Sequence, residues 1–278
     1  MLLGTAEFDY VRRLVQDRSG VVLDDTKGYL VESRLRPVMK RHGVRTLADL
    51  VGAIRRRNQD ALATEVVEAM LTGETAFFRD GAPFEALRNH ILPELTRAPR
   101  DRPLNIWCAA SSSGQEPYSV AMLLVDHYPH LAGGHARIVA TDLSSQALVR
   151  ARSGIFSDIE IGRGVPRDVL GRHFERQDGQ YRVAERVKNV VEFRQMNLLR
   201  DPPPLPALDL VLMRNVLVYF DGPSRAAVLQ RAASMMAHGG YLLLGSSEGA
   251  VGDAGLEVVR HGRTRFYRRN SPAWRGAP

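Results

Sequence analysis

Two short runs in this 278-residue chain have the residue types and spacing that a ligand-binding site needs. The run Ala110-Ser-Ser-Ser-Gly114 follows an apolar segment, and Glu116 opens a helical pattern directly after it. Asp142 ends a second apolar segment further along the chain. A turn of small side chains lets the backbone approach a ligand at the positive end of a helix, and an acid after the next strand can accept hydrogen bonds from a ribose. The pattern therefore predicts an adenosine-bearing cofactor.

Each of these two features also has a purely structural interpretation. The serine-rich turn could be an ordinary strand-to-helix connection, and Asp142 could cap a helix beginning near Ser144 or Ser145. The turn lacks the glycine fingerprint of nicotinamide and flavin proteins, and it lacks the lysine of a phosphate-binding loop. These two absences disfavour hydride transfer and ATP hydrolysis. They favour the S-adenosylmethionine-dependent methyltransferases, whose glycine pattern is looser.

Polar residues interrupt apolar sequence at two further places. Arg214-Asn215 follow a predicted buried strand, with Tyr219 just beyond, and polar groups at the carboxyl end of a parallel strand face the ligand crevice. The same two residues could instead satisfy local backbone groups. The run at 72–80 places two aromatic residues before Arg79, which could direct a guanidinium into a cleft or could be a linker with a surface arginine.

The elements that must position these residues fall into two groups. The first 75 residues carry four helical stripes of apolar residues and no strand pattern, which predicts a small all-α domain. From residue 84 onward a helix is followed by alternating strands and helices, which predicts an α/β domain with a doubly wound, mostly parallel sheet. The predicted strands are Leu104–Cys108, Ile138–Thr141, Val190–Gln195, Leu208–Met213, Tyr241–Ser246, Leu256–Arg260 and Thr264–Arg268.

One segment breaks this alternation. Tyr181–Val183 and Val190–Phe193 are short β-like runs, and Gln177–Gln180 contains the Asp-Gly pair of a tight hairpin. A small antiparallel β-subdomain is therefore predicted over about residues 172–196. The predicted organisation is an all-α domain over residues 1–75, an α/β domain over 76–270 and a tail over 271–278.

The net charge of +7 comes from basic residues that are almost all arginine. Such a surface suits phosphate or an acidic protein partner, and it is also what a merely solvated surface looks like. The basic residues are concentrated on one face of the second predicted helix, at Lys27, Arg34, Arg36, Lys40 and Arg41.

Composition also limits cofactors and location. Cys108 is the only cysteine, so disulfides and a cysteine zinc site are ruled out, and the eight histidines lack metal-ligand spacing, so no metal is predicted. No apolar run approaches the length of a membrane span, and the amino terminus lacks a signal-peptide pattern. A cytoplasmic protein without membrane insertion is expected.

Several motifs together resemble the CheR family of chemotaxis receptor methyltransferases. Met70–Arg79 resembles the family pattern M-T-x-N-x-T-x-F-F-R, and Ser112–Ser119 resembles its cofactor loop S-T-G-(E/Q)-E-P-Y-S. Four further motifs occur in the family's order, at Ala140–Asp142, Asn197–Leu199, Met213–Asp221 and Ser247-Glu248. The resemblance extends over roughly residues 8 to 268.

The resemblance implies an all-α domain followed by a Rossmann-like class I methyltransferase domain with a small inserted β-subdomain. The implied activity is methylation of glutamate carboxylates on the cytoplasmic helical bundle of chemoreceptors, with S-adenosylmethionine as donor and S-adenosylhomocysteine as product. Arg79 and Tyr219 would be catalytic and border the methyl group, and the basic second helix would contact the acidic receptor bundle. The expected cofactor contacts are Thr75, Arg79, Ala110, Glu116, Asp142, Asn197, Leu198, Arg214 and Asn215.

Two departures from the family pattern affect these expectations. Gly73 stands where the family usually has asparagine, so one hydrogen bond to the cofactor is expected to be missing. The hairpin loop at Gln177–Gln180 is shorter than in members that dock on a receptor's carboxyl-terminal pentapeptide, so a pentapeptide-independent member is expected. The protein is expected to be a monomer.

Three alternatives to this function differ in class. A nucleic-acid methyltransferase is disfavoured, because Pro204 occupies the position where an aromatic residue would stack on a flipped base. A catalytically weak, cofactor-binding regulator is suggested by Gly73. An active receptor methyltransferase of a chemosensory pathway other than chemotaxis is equally compatible with the sequence.

Overall fold

The computed structural model describes residues 5–24, 28–57, 60–97, 100–200, 207–249 and 255–270. The chain divides into two compact units, one formed by Met1–Thr72 with Tyr219–Arg225 and the other by Gly73–Val218 with Ala226–Pro278. The sequence placed the boundary after residue 75 and did not predict that a later segment joins the first unit.

The first unit is helical. Its helices are α1 (Thr5–Ser19), α2 (Gly28–Arg41), α3 (Leu47–Arg57) and α4 (Asp60–Met70). Apolar residues at helical spacing, such as Val31 and Leu35 on α2, are fully buried between these helices. The later segment is held by Val22, whose N–H donates to the carbonyl of Tyr219 over 2.8 Å. The all-α prediction is confirmed.

The second unit alternates helices with strands. It begins with α5 (Ala82–Ala86) and α6 (Leu92–Leu95), joined by a π-helical turn at Leu87–Ile91. The strands are β1 (Leu104–Ala109), β2 (Ala136–Asp142), β3 (Ile155–Phe156), β4 (Phe174–Gln177), β5 (Gln180–Val183), β6 (Val191–Gln195), β7 (Leu208–Met213), β8 (Met236–Leu244), β9 (Leu256–His261) and β10 (Thr264–Arg269). The remaining helices are α7 (Gln115–His127), α8 (Ser145–Ser153), α9 (Asp158–Gly162), α10 (Arg167–His173), α11 (Glu185–Lys188) and α12 (Gly222–Met235).

Seven strands form the main sheet in the order β6-β2-β1-β7-β8-β10-β9. The first five are parallel, and β10 and β9 complete the sheet as an antiparallel pair. Every residue of β1 and β7 is buried, as expected for strands covered on both faces. The strand order reverses between β1 and β7, and the crevice outside the carboxyl ends of strands at such a reversal is where α/β sheets bind ligands. The doubly wound prediction is confirmed.

A separate three-stranded antiparallel sheet has the order β3-β5-β4. Its hairpin turns at Asp178 and Gly179, both with positive φ, as the Asp-Gly pair predicted. The predicted extent of 172–196 was wrong at both ends. The sheet's third strand is the two-residue Ile155–Phe156, too short to leave a sequence pattern, while β6 pairs in parallel with β2 at the edge of the main sheet. Within the described ranges, no helix is long and apolar enough to span a membrane.

Candidate active site

The loop between β1 and α7 has an unusual backbone. Ala110, Ser112 and Gly114 have φ values of 54°, 49° and 93°, in the left-handed region that costs a residue with a side chain on the order of 1 kcal/mol. A Cβ atom at Gly114 would lie only 3.0 Å from that of Ala151, and the positive φ adds strain for any residue with a side chain. Backbone bonds hold the turn, including one of 2.9 Å from the N–H of Ser111 to the carbonyl of Thr141. The loop is therefore a fixed cradle of small residues, as predicted.

Asp142 joins the loops that follow β1 and β2. Its two carboxylate oxygens accept the N–H groups of Ser112 at 2.7 Å and of Ser144 at 2.8 Å. Ser144 itself is the N-cap of α8, because its hydroxyl accepts the N–H of Ala147. The alternative in which Asp142 caps this helix is therefore wrong. Its half-buried carboxylate is held in place at the carboxyl edge of the sheet, where ribose binding stays a prediction.

Residues 73–80, which we call the strap, carry Thr75 and Arg79 across the same edge. The ring of Phe77 is fully buried and packs edge-to-face on Phe156 and Phe174 of the β-subdomain, at centroid distances of 4.8 and 5.3 Å. The strap approaches Gly164 so closely that a Cβ there would lie 2.0 Å from the carbonyl oxygen of Phe77. The aromatic pair thus anchors the strap, and the interpretation as an ordinary linker is wrong.

Hydrogen bonds fix both ends of the strap. The hydroxyl of Ser112 donates to the carbonyl of Gly73 over 2.7 Å, and the N–H of Phe78 donates to the hydroxyl of Ser119 over 2.9 Å. The Arg79 guanidinium donates to the carbonyl of Glu74 over 3.1 Å and remains partly exposed. Arg79 is therefore held beside the cofactor loop with part of its guanidinium accessible.

Arg214 connects three of the predicted motifs. Its side chain is only 1% exposed, and it forms ion pairs with Glu116 at 2.8 Å and with Asp80 at 2.6 Å. The same guanidinium donates to the carbonyl of Arg79 over 3.1 Å. The interpretation in which Arg214 serves only local backbone groups is therefore wrong, because it links the strap, strand β7 and helix α7.

Two carboxylates, those of Glu116 and Asp80, pair with the single guanidinium of Arg214. Burial raises the pKa of Glu116, and the charge and hydrogen bond of Arg214, together with the charge of Arg79, oppose that rise without cancelling it. A mostly buried carboxylate that is short of positive charge at a ligand crevice suits a cationic group. S-adenosylmethionine carries both an ammonium and a sulfonium, so Glu116, Asp142 and the cradle fit this cofactor.

Glu248 has a role that the sequence did not reveal. It is buried, and its carboxylate accepts the N–H groups of Asn215 at 2.7 Å, Gly245 at 2.7 Å and Val218 at 3.2 Å. Asn215 has a φ of 58°, so this carboxylate stabilises a strained turn immediately after β7. The available signal was an acid directly after the apolar run of β8, and only the family resemblance had marked it.

Asn197 and Leu198 follow β6 next to the loop that carries Asp142. The side-chain carbonyl of Asn197 accepts the N–H of Leu199 at 3.0 Å, and the N–H of Met196 donates to the carbonyl of Asp142 over 2.9 Å. The carbonyl of Leu198 is bound by Arg231. The structure thus brings the loops after β1, β2, β6 and β7 to one edge, and contacts between these two residues and the cofactor stay predictions.

The remaining predicted residues lie in the helical unit. Tyr219 ends a 3₁₀ turn at Leu217–Tyr219 and belongs to the first unit, so its place beside the methyl group stays a prediction. On α2, Arg34 donates to the carbonyl of Met70 over 2.7 Å and to the hydroxyl of Thr72. It therefore connects α2 to the end of α4 within the helical unit.

The other basic residues of α2 differ in their contacts. Arg41 forms an ion pair with Glu65, and Arg36 lies 3.9 Å from Glu32. Lys40 is exposed, and Lys27 falls outside the described residues. The partner of this helix face stays a prediction.

Comparison with known proteins was made on the whole chain. Residues 73–265 match the family model described as "CheR methyltransferase, SAM binding domain", and residues 6–71 match "CheR methyltransferase, all-alpha domain". The chain is 38% identical over 257 residues to "Chemotaxis protein methyltransferase Cher2" of Pseudomonas putida, covering 91% of this chain and 93% of that protein.

Two further relatives have similar coverage. The chain is 40% identical to "Chemotaxis protein methyltransferase 1" of Pseudomonas aeruginosa, over 89% of this chain and 92% of the relative. It is 41% identical to "Chemotaxis protein methyltransferase 1" of Vibrio cholerae, over 86% of this chain and 88% of the relative.

Proposed function

The chain belongs to the CheR family of S-adenosylmethionine-dependent methyltransferases, and we propose that it esterifies glutamate side chains on the cytoplasmic helical bundle of chemoreceptors. The names of its relatives support a role in chemotaxis. The observation that carries the proposal is the ion-pair cluster of Arg214 with Glu116 and Asp80. This cluster holds the strap, which bears Arg79, next to helix α7, which directly follows the cofactor loop.

The reaction requires the protein mainly to position the methyl donor and the acceptor. The acceptor carboxylate is ionised at neutral pH, so no general base is required. The bound cofactor supplies an activated methyl group on its sulfonium. The cradle of residues 110–114 and the carboxylates of Glu116 and Asp142 would hold the donor, and they would fix the direction in which the acceptor must approach.

Arg79 is proposed to orient the acceptor. Its guanidinium lies on the anchored strap, is bound to the strap's own Glu74 carbonyl and stays partly exposed. A guanidinium pairs with a carboxylate through two parallel hydrogen bonds, which would hold the acceptor oxygen in line with the methyl group. Tyr219 is proposed to border the same path on the strength of the family motif alone.

The direct test uses labelled S-adenosylmethionine and membranes that contain a candidate receptor, followed by alkaline release of labelled methanol. We expect base-labile label on the receptor with the native protein. Arg79→Ala should lower turnover by about a hundredfold, because an orienting charge-assisted pair contributes roughly 2–3 kcal/mol in the transition state. An unchanged urea midpoint would show that folding persists, and calorimetry would separate the loss of turnover from any loss of cofactor affinity, since Arg79 is also an expected cofactor contact.

Other results would overturn the proposal. Label transferred to RNA or DNA instead would indicate a nucleic-acid methyltransferase. Cofactor binding without turnover on any receptor would indicate a regulator. Undiminished turnover by Arg79→Ala would remove the assigned role of that residue.

We also propose that methylation does not need a carboxyl-terminal receptor pentapeptide. The β4–β5 turn consists only of Asp178 and Gly179, which supports a short loop without a docking extension. A receptor truncated before its last residues should be methylated at the same rate as the full receptor. A large loss of rate on truncation would contradict this.

A further inference from the structure

A cavity lies beside the proposed active site, on the side of β8 and β10. It has a volume of about 320 Å³, and its lining includes Asp80, Arg214, Ser246, Arg263 and Arg265. All of these residues belong to the second unit. In the main sheet, β2 lies on one side of β1, and β7 and β8 lie on the other. The cofactor loops after β1 and β2 and this cavity therefore lie on opposite sides of Arg214, which follows β7.

The carboxylates that line the cavity are already engaged. Asp80 forms the 2.6 Å ion pair with Arg214, and Glu248 accepts three backbone N–H groups. The Nε atom of Arg214 is buried and has no hydrogen-bond partner among the described residues. Arg214 is itself paired with two carboxylates, so the positive charge that the cavity offers comes from Arg263 and Arg265.

Three arginines at the tip of the β9–β10 hairpin extend this positive charge. Arg260 and Arg265 face each other directly across the two strands, and Arg263 follows the turn at Gly262. All three are exposed, and none forms an ion pair with a carboxylate in the described part of the chain. Like charges directly opposite each other on a β-ribbon are destabilising. Charge pairing within the hairpin therefore does not explain the tip cluster.

The base of the same hairpin provides a contrast. Arg268 lies opposite Glu257 and pairs with Glu94 at 3.1 Å, and Arg269 donates to the carbonyls of Ser234 and Met236. At the base of the hairpin the arginines thus bind a carboxylate or backbone carbonyls, whereas at the tip Arg265 donates to the hydroxyl of Tyr267 over 3.3 Å without a carboxylate partner among the described residues.

We propose that the tip cluster and the adjoining cavity bind carboxylate side chains of an acidic segment of the acceptor protein, next to the glutamate that is methylated. The inference rests on the proposed function, since a protein that is esterified at a carboxylate must bring acidic side chains to the carboxyl edge of the main sheet. Exposed guanidinium groups attract such a segment and set its register, and they leave the cofactor's own contacts untouched. A negatively charged nucleic acid is the competing ligand and becomes an outcome of the test.

The experiment compares Arg263→Gln/Arg265→Gln with a control pair, Arg97→Gln/Arg167→Gln. The control arginines are exposed, have no ion-pair partner in the described ranges and lie before β1 and on α10, so they match the change in net charge. In receptor methylation, the tip variant should raise the KM for receptor about tenfold, with kcat and the Kd for S-adenosylmethionine within twofold of native. Lysines at both positions should restore most of the affinity.

A binding measurement separates the two proposals. Labelled poly-L-glutamate should bind the native protein and the control variant, and it should bind the tip variant about tenfold more weakly, whether or not any receptor is methylated. Failure of the native protein to esterify receptors would therefore overturn the proposed function and leave this result standing. Equal poly-L-glutamate affinity in both variants, or tip-dependent binding of RNA with none of poly-L-glutamate, would overturn the inference.

Discussion

Strand β7 carries an arginine–carboxylate cluster at each end, and the two clusters have opposite balances of charge. At the amino end, Asp209 is bound by Arg100 at 2.8 Å and Arg102 at 2.7 Å, and it also accepts the N–H of Asn105. At the carboxyl end, the single guanidinium of Arg214 faces two carboxylates. In the first cluster two guanidinium groups pair with one carboxylate, and in the second one guanidinium pairs with two carboxylates.

The pKa values of the two acids reflect this difference. Burial would raise the pKa of Asp209, yet hydrogen bonds from Arg102, the Asn105 N–H and Arg100 hold it below its usual value. Burial raises the pKa of Glu116, and the charges of Arg214 and Arg79 do not reverse it. A carboxylate whose charge and hydrogen bonds are fully satisfied stabilises the sheet. A carboxylate that is short of positive charge is suited to bind a cationic ligand. The comparison therefore separates a structural ion pair from a binding one on the same strand.

The largest effect is expected for Arg214→Met. Removing this guanidinium leaves Glu116 and Asp80 without their partner and should lower the free energy of unfolding by about 3–5 kcal/mol. Methyl transfer should fall more than a hundredfold, because the strap loses its connection to β7. Urea unfolding and a labelled-methyl assay measure the two losses. A variant with native turnover would show that the cluster is structural, like the one at Asp209.

Asp209→Asn should affect stability without affecting catalysis. We expect a loss of about 2 kcal/mol in unfolding free energy, less than for a fully buried pair because both arginines are partly exposed. Turnover per folded molecule should stay native. A fall in kcat would contradict the assignment of this cluster to the scaffold.

The same acid gives a pH dependence of stability. Because the pKa of Asp209 is lowered on folding, its contribution is present above the unfolded pKa, near 3.9 for an aspartate, and is lost as the pH falls through the folded value. The native protein should therefore lose this component of stability in acid, and Asp209→Asn should lack it. Parallel stability curves for the two proteins at acidic pH would refute this.

Glu116→Gln should weaken binding more than folding. Loss of the carboxylate should reduce the affinity for S-adenosylmethionine about tenfold, near 1.4 kcal/mol, and leave the urea midpoint close to native. Because the pKa of Glu116 is raised, the native affinity should fall as the pH is lowered towards that pKa, and the variant should lack this component. Calorimetry at several pH values measures both. Identical pH profiles would remove Glu116 from the binding site.

The smallest effect is expected for Ser112→Ala. The variant loses the 2.7 Å hydrogen bond to the carbonyl of Gly73, worth about 1 kcal/mol, and frees one end of the strap. The KM for the cofactor should rise a few-fold. The contribution of the Asp209 cluster to the free energy of unfolding should stay as in the native protein. Ser113→Ala is the matched control, since its hydroxyl bonds within the loop to Gln115. Equal effects of both changes would mean that the contact with the strap is unimportant.

Several local features were predictable because neighbouring residues produce them. The run Leu208–Met213 predicted β7 with its observed bounds, and the Asp-Gly pair predicted the hairpin at residues 178–179. A short, mostly apolar run between helical segments favours a buried strand, and left-handed turns favour particular residues. The family resemblance added the identity of the cofactor and the candidate residues around it.

Other features depended on partners that are distant in the sequence. Nothing local indicates that Arg214 meets Glu116 and Asp80, that Glu248 fixes Asn215, or that Ile155–Phe156 completes the small sheet.

By itself, the sequence determined the succession of helices and strands and the positions of the turns, because these follow from the periodicity and backbone preferences of adjacent residues. Only the tertiary structure decided which charges balance one another. Whether a carboxylate is saturated, like Asp209, or left short of positive charge, like Glu116, depends on burial and on guanidinium groups brought from elsewhere in the chain.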